Sequence, residues 1–221
     1  MQELSTAMAI SLQGYYAILD VKGSSCDATA LLHHASDLLA AQPCCLQLRG
    51  KQLGLAALCE LGHALRPLCS RWQVPLCVND RLDVALAIAA DMVHLGQGDL
   101  PLAEALYARK TARAEHLSIG ISTHDLDQAK SAAAGGADYI GFGPLFPTQS
   151  KADADPAVGL ARLQEVAVAV NIPVVAIGGI TLDNVADVAH AGASAAAAIA
   201  AVDAAPDSAR AGRYIAHAFG V

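Results

Sequence analysis

Charge is scarce in this chain. Only 16% of its 221 residues are Asp, Glu, Lys or Arg, against roughly 25% in an average soluble domain. The basic residues form no cluster and the net charge is −7, so neither nucleic acid nor an anionic membrane surface is expected as a partner. No apolar run reaches the ~18 residues of a membrane span. The first fourteen residues lack a basic stretch followed by an apolar core, so no secretory leader is read there. The six cysteines (Cys26, Cys44, Cys45, Cys59, Cys69 and Cys77) include no C-x-x-C pair and no zinc-like spacing to histidine. Four of them fall inside runs that read as strand or helix, where a reduced thiol behaves as a small hydrophobe. The expectation is a reducing, cytoplasmic location without a disulfide framework.

Apolar residues, by contrast, make up 54% of the chain. That richness fits a parallel sheet covered by helices, whose strands read as continuous apolar runs; a homo-oligomer with a buried interface accommodates it equally. Apolar, β-rich runs recur at 15–20, 44–49, 75–79, 92–96, 117–122, 138–143, 173–178 and 194–200. Between them lie stretches suited to helices, such as "RLDVALAIAA" and "LDQAKSAAAGG". Strands alternating with helices argue for βαβ units and a parallel sheet. No charged run or Pro/Ser-rich linker interrupts the pattern, so one α/β domain is expected over 15–221, after a tail of residues 1–14. A doubly wound dinucleotide fold would carry G-x-G-x-x-G after the first strand, where "DVKGSS" stands instead. Eight units point to a single-domain (β/α)8 TIM barrel.

In such a barrel the chemistry sits where the strands end, on the loops leading into the helices. The polar residues of this chain cluster there. Gln47, Arg49 and Lys51 follow the second strand, Asn79 and Asp80 the third, Gln97 and Asp99 the fourth. Ser122 ends the fifth; Thr148, Ser150 and Lys151 follow the sixth; Gly178 and Gly179 close the seventh. Asp80 and Asp99, far apart in sequence, would thus be neighbours at the barrel mouth. Either could simply cap the helix that follows it. As a pair without a cation they would repel and disturb each other's titration. Mg²⁺ would resolve that conflict, since it commonly takes one or two carboxylates together with substrate phosphate oxygens.

The basic residues match. The chain has only five lysines, and two, Lys51 and Lys151, directly follow strands. Arg49 and Gln47 alternate along "LQLRGK" and so share one side of their strand. Facing the barrel interior, an unpaired guanidinium would be costly unless an anion lay near. "AIGGI" allows close approach of the backbone to a ligand, and "PTQSK" adds two hydroxyls and an ammonium. Together these residues suggest a Mg²⁺-dependent site with two anion-binding regions, one metal- and cation-rich, the other built on neutral donors. No Ser-His-Asp set competes for the chemistry. His94, among apolar neighbours, reads as a satisfied core residue, and His124 can be read either way.

With those residues assembled, the sequence closely resembles the thiamine phosphate synthase family from about Tyr15 to Val202. The motifs that carry the resemblance are "LQLRGK", "VNDRLDVALAIAADMVHLGQGDLP", "IGISTHD", "DYIGFGPLFPTQSK" and "VVAIGGI", in that order. The family joins hydroxymethylpyrimidine diphosphate to a thiazole monophosphate and releases pyrophosphate through a pyrimidinyl carbocation. The resemblance implies that Asp80 and Asp99 bind Mg²⁺. It implies that Gln47, Arg49, Lys51, Asn79, Ser122 and Lys151 hold the pyrimidine diphosphate, with Arg49, Lys51, Ser122 and Lys151 as the catalytic group. Thr148, Ser150, Gly179 and the backbone around Ile199 and Ala200 would hold the thiazole phosphate. Leu48 and Gly50, inside the second-strand motif, and Gln149, between the hydroxyls, complete the expected substrate contacts.

Three positions depart from the family's usual pattern. Gly50 stands where a glutamate is usual, Ser150 where a second threonine is usual, and Ala200 where a serine usually follows the last strand. Two other readings stay open on the sequence. A thiazole tautomerase-like paralogue would not need the full cation and carboxylate set. A catalytically silent barrel that binds phosphate ligands would accord with Gly50 and Ala200.

Overall fold

A computed structural model describes residues 10–23, 27–148 and 156–221. Eight parallel strands close on themselves in sequence order. They are β1 (Gly14–Asp20), β2 (Cys45–Arg49), β3 (Leu76–Asn79), β4 (Met92–Leu95), β5 (Ser118–Thr123), β6 (Tyr139–Phe142), β7 (Val174–Ile177) and β8 (Ala195–Ala197). The helices between them are α1 (Ala28–Leu39), α2 (Leu55–Trp72), α3 (Leu82–Ala87), α4 (Leu102–Thr111), α5 (Leu126–Ala134), α6 (Gly159–Ala169) and α7 (Val185–His190), and α8 (Ile199–Asp203) and α9 (Ser208–Ala218) follow β8. This is the (β/α)8 barrel expected from the alternation of apolar runs with helical segments. Among the described residues no helix is long and apolar enough to cross a membrane.

Strand alternation divides the apolar residues into two cores. One face of each strand packs beneath the helices, where Leu19, Leu46, Leu48, Leu76 and Val93 are fully buried. The other face fills the barrel interior with Tyr16, Ile18, Cys45, Cys77, Met92, Tyr139, Val175, Ala195 and Ala197. Leu12, ahead of β1, packs with that interior set.

The N-terminal ends of the strands are braced by side chains. Asp91 Oδ2 accepts from the Leu76 N–H at 2.8 Å and from Arg66 at 2.5 Å. Asp138 Oδ2 does the same for the Ile119 N–H at 2.7 Å and Arg109 at 2.8 Å. Ser194 Oγ accepts from the Val174 N–H at 3.3 Å. Contacts at this end of a barrel serve stability, while the opposite end serves chemistry.

Two glycines explain how bulky residues fit inside. A methyl group on Gly120 would lie 2.1 Å from the Tyr139 ring, and one on Gly141 would lie 2.9 Å from the His94 imidazole. Glycine weakens a strand, and here its missing side chain is the space those two rings occupy.

One strand differs from expectation. The eighth was read over 194–200, but pairing ends at Ala197, and Ile199 and Ala200 begin α8. Alanine is the best helix former, and once the register with β7 runs out nothing opposes it.

Candidate active site

The C-terminal ends of the strands open into a pocket of about 460 Å³. Gln47, Arg49, Lys51, Asn79, Asp80 and Asp99 line one part of it. Ser122, Thr148, Gly179, Ile199 and Ala200 line the rest. The expected residues thus come together from seven strands and their loops. Leu48 and Gly50 do not line it. Alternation along β2 sends Leu48 outward into the helix-side core, and Gly50 packs instead against Leu53, whose Cδ1 would meet an added methyl at 2.8 Å. Gln149, Ser150 and Lys151 lie outside the described residues.

The two carboxylates are neighbours. Asp80 and Asp99 lie close enough to perturb each other's titration, while Lys51 Nζ lies 3.9 Å from Asp80 Oδ2. Neither aspartate caps a helix: Arg81 and Pro101 occupy the N-cap positions of α3 and α4, without side-chain capping bonds. Asp99 instead accepts from the Gly96 N–H at 2.6 Å, closing its own loop. Asp80 sits at φ 63°, a left-handed conformation that Asp and Asn tolerate better than most residues. Burial, then the nearby carboxylate of Asp99, push the Asp80 carboxyl up from 3.8 to about 6, against the opposing pull of Lys51 and Arg49. Among the described residues no third His, Cys, Asp or Glu joins the pair to make a metal-binding group of three. A set of two carboxylates with open space beside it fits a hard cation that takes its other ligands from water or phosphate.

Arg49, which was expected to need an anion nearby, has one within the protein: its guanidinium bonds the carboxylate of Asp20, the residue facing it across β1 and β2. Their side chains are 16% and 9% exposed, so the ion pair is held mostly away from water. Sequence reasoning passed over Asp20, although it closes β1 on the same face as Tyr16 and Ile18 and could have been found from that alternation.

The glycines after β7 have a steric role. Gly178 and Gly179 have φ 94° and 65°, and a methyl on either would strike Pro144 at 2.4 Å or Phe146 at 2.7 Å. Their absence of side chains lets the β6–α6 loop lie against β7, where Leu145 and Phe146 donate to the carbonyls of Ile177 and Gly178 at 2.9 and 3.0 Å. Asn184 Nδ2 fixes the turn by donating to the Gly179 carbonyl at 3.1 Å.

Beneath the polar rim lies a floor that the sequence did not announce. Tyr16, His94 and Tyr139 all line the pocket. His94 is satisfied, as expected, but it faces the cavity, with Tyr139 Oη 3.2 Å from Nδ1 and Ser122 Oγ 2.9 Å from Nε2. His124 also lines the pocket, its Nδ1 donating to the Gly143 carbonyl at 2.6 Å. Burial raises the thiol of Cys77, below the floor, to about 11, so it stays protonated and is no nucleophile at neutral pH.

The family model described as "Thiamine monophosphate synthase" matches residues 15–202. The thiamine-phosphate synthase of Methanospirillum hungatei is 46% identical over 171 residues, 77% of this chain and 81% of that protein. That of Halalkalibacterium halodurans is 48% identical over 149 residues, 67% of this chain and 69% of its own. Among solved structures, the thiamine phosphate pyrophosphorylase of Pyrococcus furiosus superposes with a TM-score of 0.80 at 32% identity, covering 96% of this chain and 97% of the other. A 3-hexulose-6-phosphate synthase superposes with a TM-score of 0.67 at 18% identity, a likeness of fold alone. With the barrel, the ordered motifs and these relatives in agreement, the chain belongs to the thiamine phosphate synthase family of transferases.

Proposed function

We propose that this chain makes thiamine phosphate from hydroxymethylpyrimidine diphosphate and thiazole monophosphate, with Mg²⁺ as cofactor. The observation that carries this reading is the Asp80–Asp99 pair set beside Lys51 and Arg49 on one rim. In the reaction the bond from the pyrimidine methylene carbon to the diphosphate oxygen breaks, and its electron pair leaves with pyrophosphate. The thiazole nitrogen then gives its lone pair to the resulting pyrimidinyl carbocation, forming the new C–N bond. Asp80 and Asp99 would hold Mg²⁺, which when bound supplies charge neutralisation to the leaving group. Lys51 and Arg49 face the same charge, Lys51 as a mobile point charge and Arg49 as a fork already oriented by Asp20. No step calls for a protein nucleophile, so rate comes from leaving-group stabilisation and from aligning two rings. Thr148, Gly179 and the backbone at Ile199 and Ala200 lie across the pocket, a region of neutral donors suited to the thiazole phosphate. The free cysteines among the described residues, three of them buried, suit a cytoplasmic enzyme.

The deciding assay mixes purified protein with both substrates and measures thiamine phosphate and pyrophosphate while Mg²⁺ is titrated. Equal release of the two products, abolished by chelator, is expected. Thiazole isomerisation without coupling, or no product at saturating Mg²⁺, refutes the proposal.

A further inference from the structure

His124 lines the pocket but has no part in the proposed reaction. Its backbone is firmly held. It follows the last residue of β5 and precedes Asp125, the N-cap of α5. The Gln128 N–H donates to Asp125 Oδ1 at 2.8 Å, and Gln128 Oε1 accepts from the His124 N–H at 2.9 Å. From that base the imidazole reaches the Gly143 carbonyl, 2.6 Å from Nδ1. A carbonyl oxygen can only accept, so Nδ1 carries a proton in this bond whatever the charge on the ring.

The bond falls on the first residue of the β6–α6 loop. The peptide from Gly143 to Pro144 has no N–H, because proline lacks one, so its carbonyl is the only group by which it can be hydrogen-bonded. The loop then runs against β7. A methyl on Gly143 would fall 2.1 Å from the Ile177 carbonyl oxygen, and Leu145 and Phe146 donate to the carbonyls of Ile177 and Gly178. In a trans peptide the N–H points opposite the carbonyl. A Gly178 carbonyl held by this loop therefore aims the Gly179 N–H to the other side. Gly179, and Thr148 further along the loop, both line the pocket.

We infer that His124 is a positioning residue: its Nδ1–H strut fixes the start of the β6–α6 loop, and through it the presentation of Thr148 and the Gly179 N–H to an anion. The imidazole acts through the loop and not on the substrate. That the anion is the thiazole phosphate rests on the proposed function; the strut itself does not.

Three substitutions separate the two ring nitrogens. Asparagine carries its amide nitrogen on Cγ, where imidazole carries Nδ1; glutamine carries it one atom further out, as imidazole carries Nε2. Phenylalanine keeps a ring and has no donor. Hydrogen exchange of the Leu145 and Phe146 amides in the ligand-free protein reads the loop, and steady-state KM for each substrate reads the site. In His124→Phe and His124→Gln both amides should exchange about three- to tenfold faster, the weight of one neutral hydrogen bond. KM for the thiazole phosphate should rise by a similar factor, with KM for the pyrimidine diphosphate unchanged. His124→Asn should return both readings to those of the unaltered protein. Loss in His124→Asn overturns the inference, and recovery in His124→Gln would then place the action at Nε2. Unchanged exchange in His124→Phe, or equal rises in both KM values, overturns it as well. If the exchange results are as expected but the unaltered protein makes no thiamine phosphate, the strut stands and the proposed function falls.

Discussion

Consider the metal-free protein at about pH 7.5, with Asp80 replaced by asparagine. Asp80 titrates near 6 in the fold instead of 3.8 because it is buried beside Asp99. A carboxyl whose folded pKa lies above its unfolded one binds more protons in the folded state. Stability is therefore lost as pH rises from about 4 through 6, and the loss is complete above that window. Two units correspond to about 3 kcal/mol, and the side chain is only 27% exposed, so most of that strain survives solvent screening. Asparagine removes the charge and tolerates the left-handed backbone at φ 63°, whereas alanine would add strain of its own. Asp80→Asn should thus raise Tm by roughly 5–10 °C at neutral pH, taking about 2–4 °C per kcal/mol for a chain of this size. Near pH 4 the difference should vanish, because Asp80 is then protonated as well. Mg²⁺ should raise the Tm of the unaltered protein and not of the variant, whose turnover should fall at least about 100-fold, beyond the loss usual for an outer partner of a metal ligand. Differential scanning calorimetry at the two pH values, with and without Mg²⁺, reads all of this. A variant that is no more stable than the parent at pH 7.5 would refute the reasoning about strain stored in the carboxylate pair.

Three other substitutions probe separate parts of the site. Asp20→Asn leaves the buried Arg49 guanidinium without its anion; stability should fall by about 2–4 kcal/mol, and inorganic pyrophosphate should restore more Tm in this variant than in the parent. Ala200→Ser places a hydroxyl on a residue that lines the pocket at the start of α8; steady-state kinetics should show KM for the thiazole phosphate falling several-fold, as for one added hydrogen bond to a charged group. Asp138→Ala removes the acceptor that braces the Ile119 N–H and Arg109 at the far end of the barrel; chemical denaturation should show a loss of about 1–3 kcal/mol with kcat/KM unchanged.

The mouth of the barrel was legible because apolar runs give way to polar residues at each strand end. Asp80, Asp99, Lys51 and Ser122 could therefore be placed on one lip from order alone. The floor was not legible. Tyr16, His94 and Tyr139 are separated by whole βα units, and their meeting depends on the shear of a closed sheet, which no local period encodes. His94 shows the limit well: its apolar neighbours are real, but they are Val93 and Leu95 on the helix side, while the imidazole faces inward. Asp20 was missed for a different reason, since the loop after β1 drew attention for the fingerprint it lacked and not for the carboxylate beside it. The end of β8 eluded the sequence because an alanine run satisfies strand and helix alike until its pairing partner is known.

Gly120 and Gly141 set a limit on what this scaffold can become. Enzymes on such barrels diversify by exchanging the loops at the mouth, yet the chamber's depth here is fixed lower down, by two ring systems seated where strand residues have no side chain. Loop exchange could widen the opening or change its charge. A deeper cavity for a longer substrate would require rebuilding the middle of adjoining strands, several positions at once.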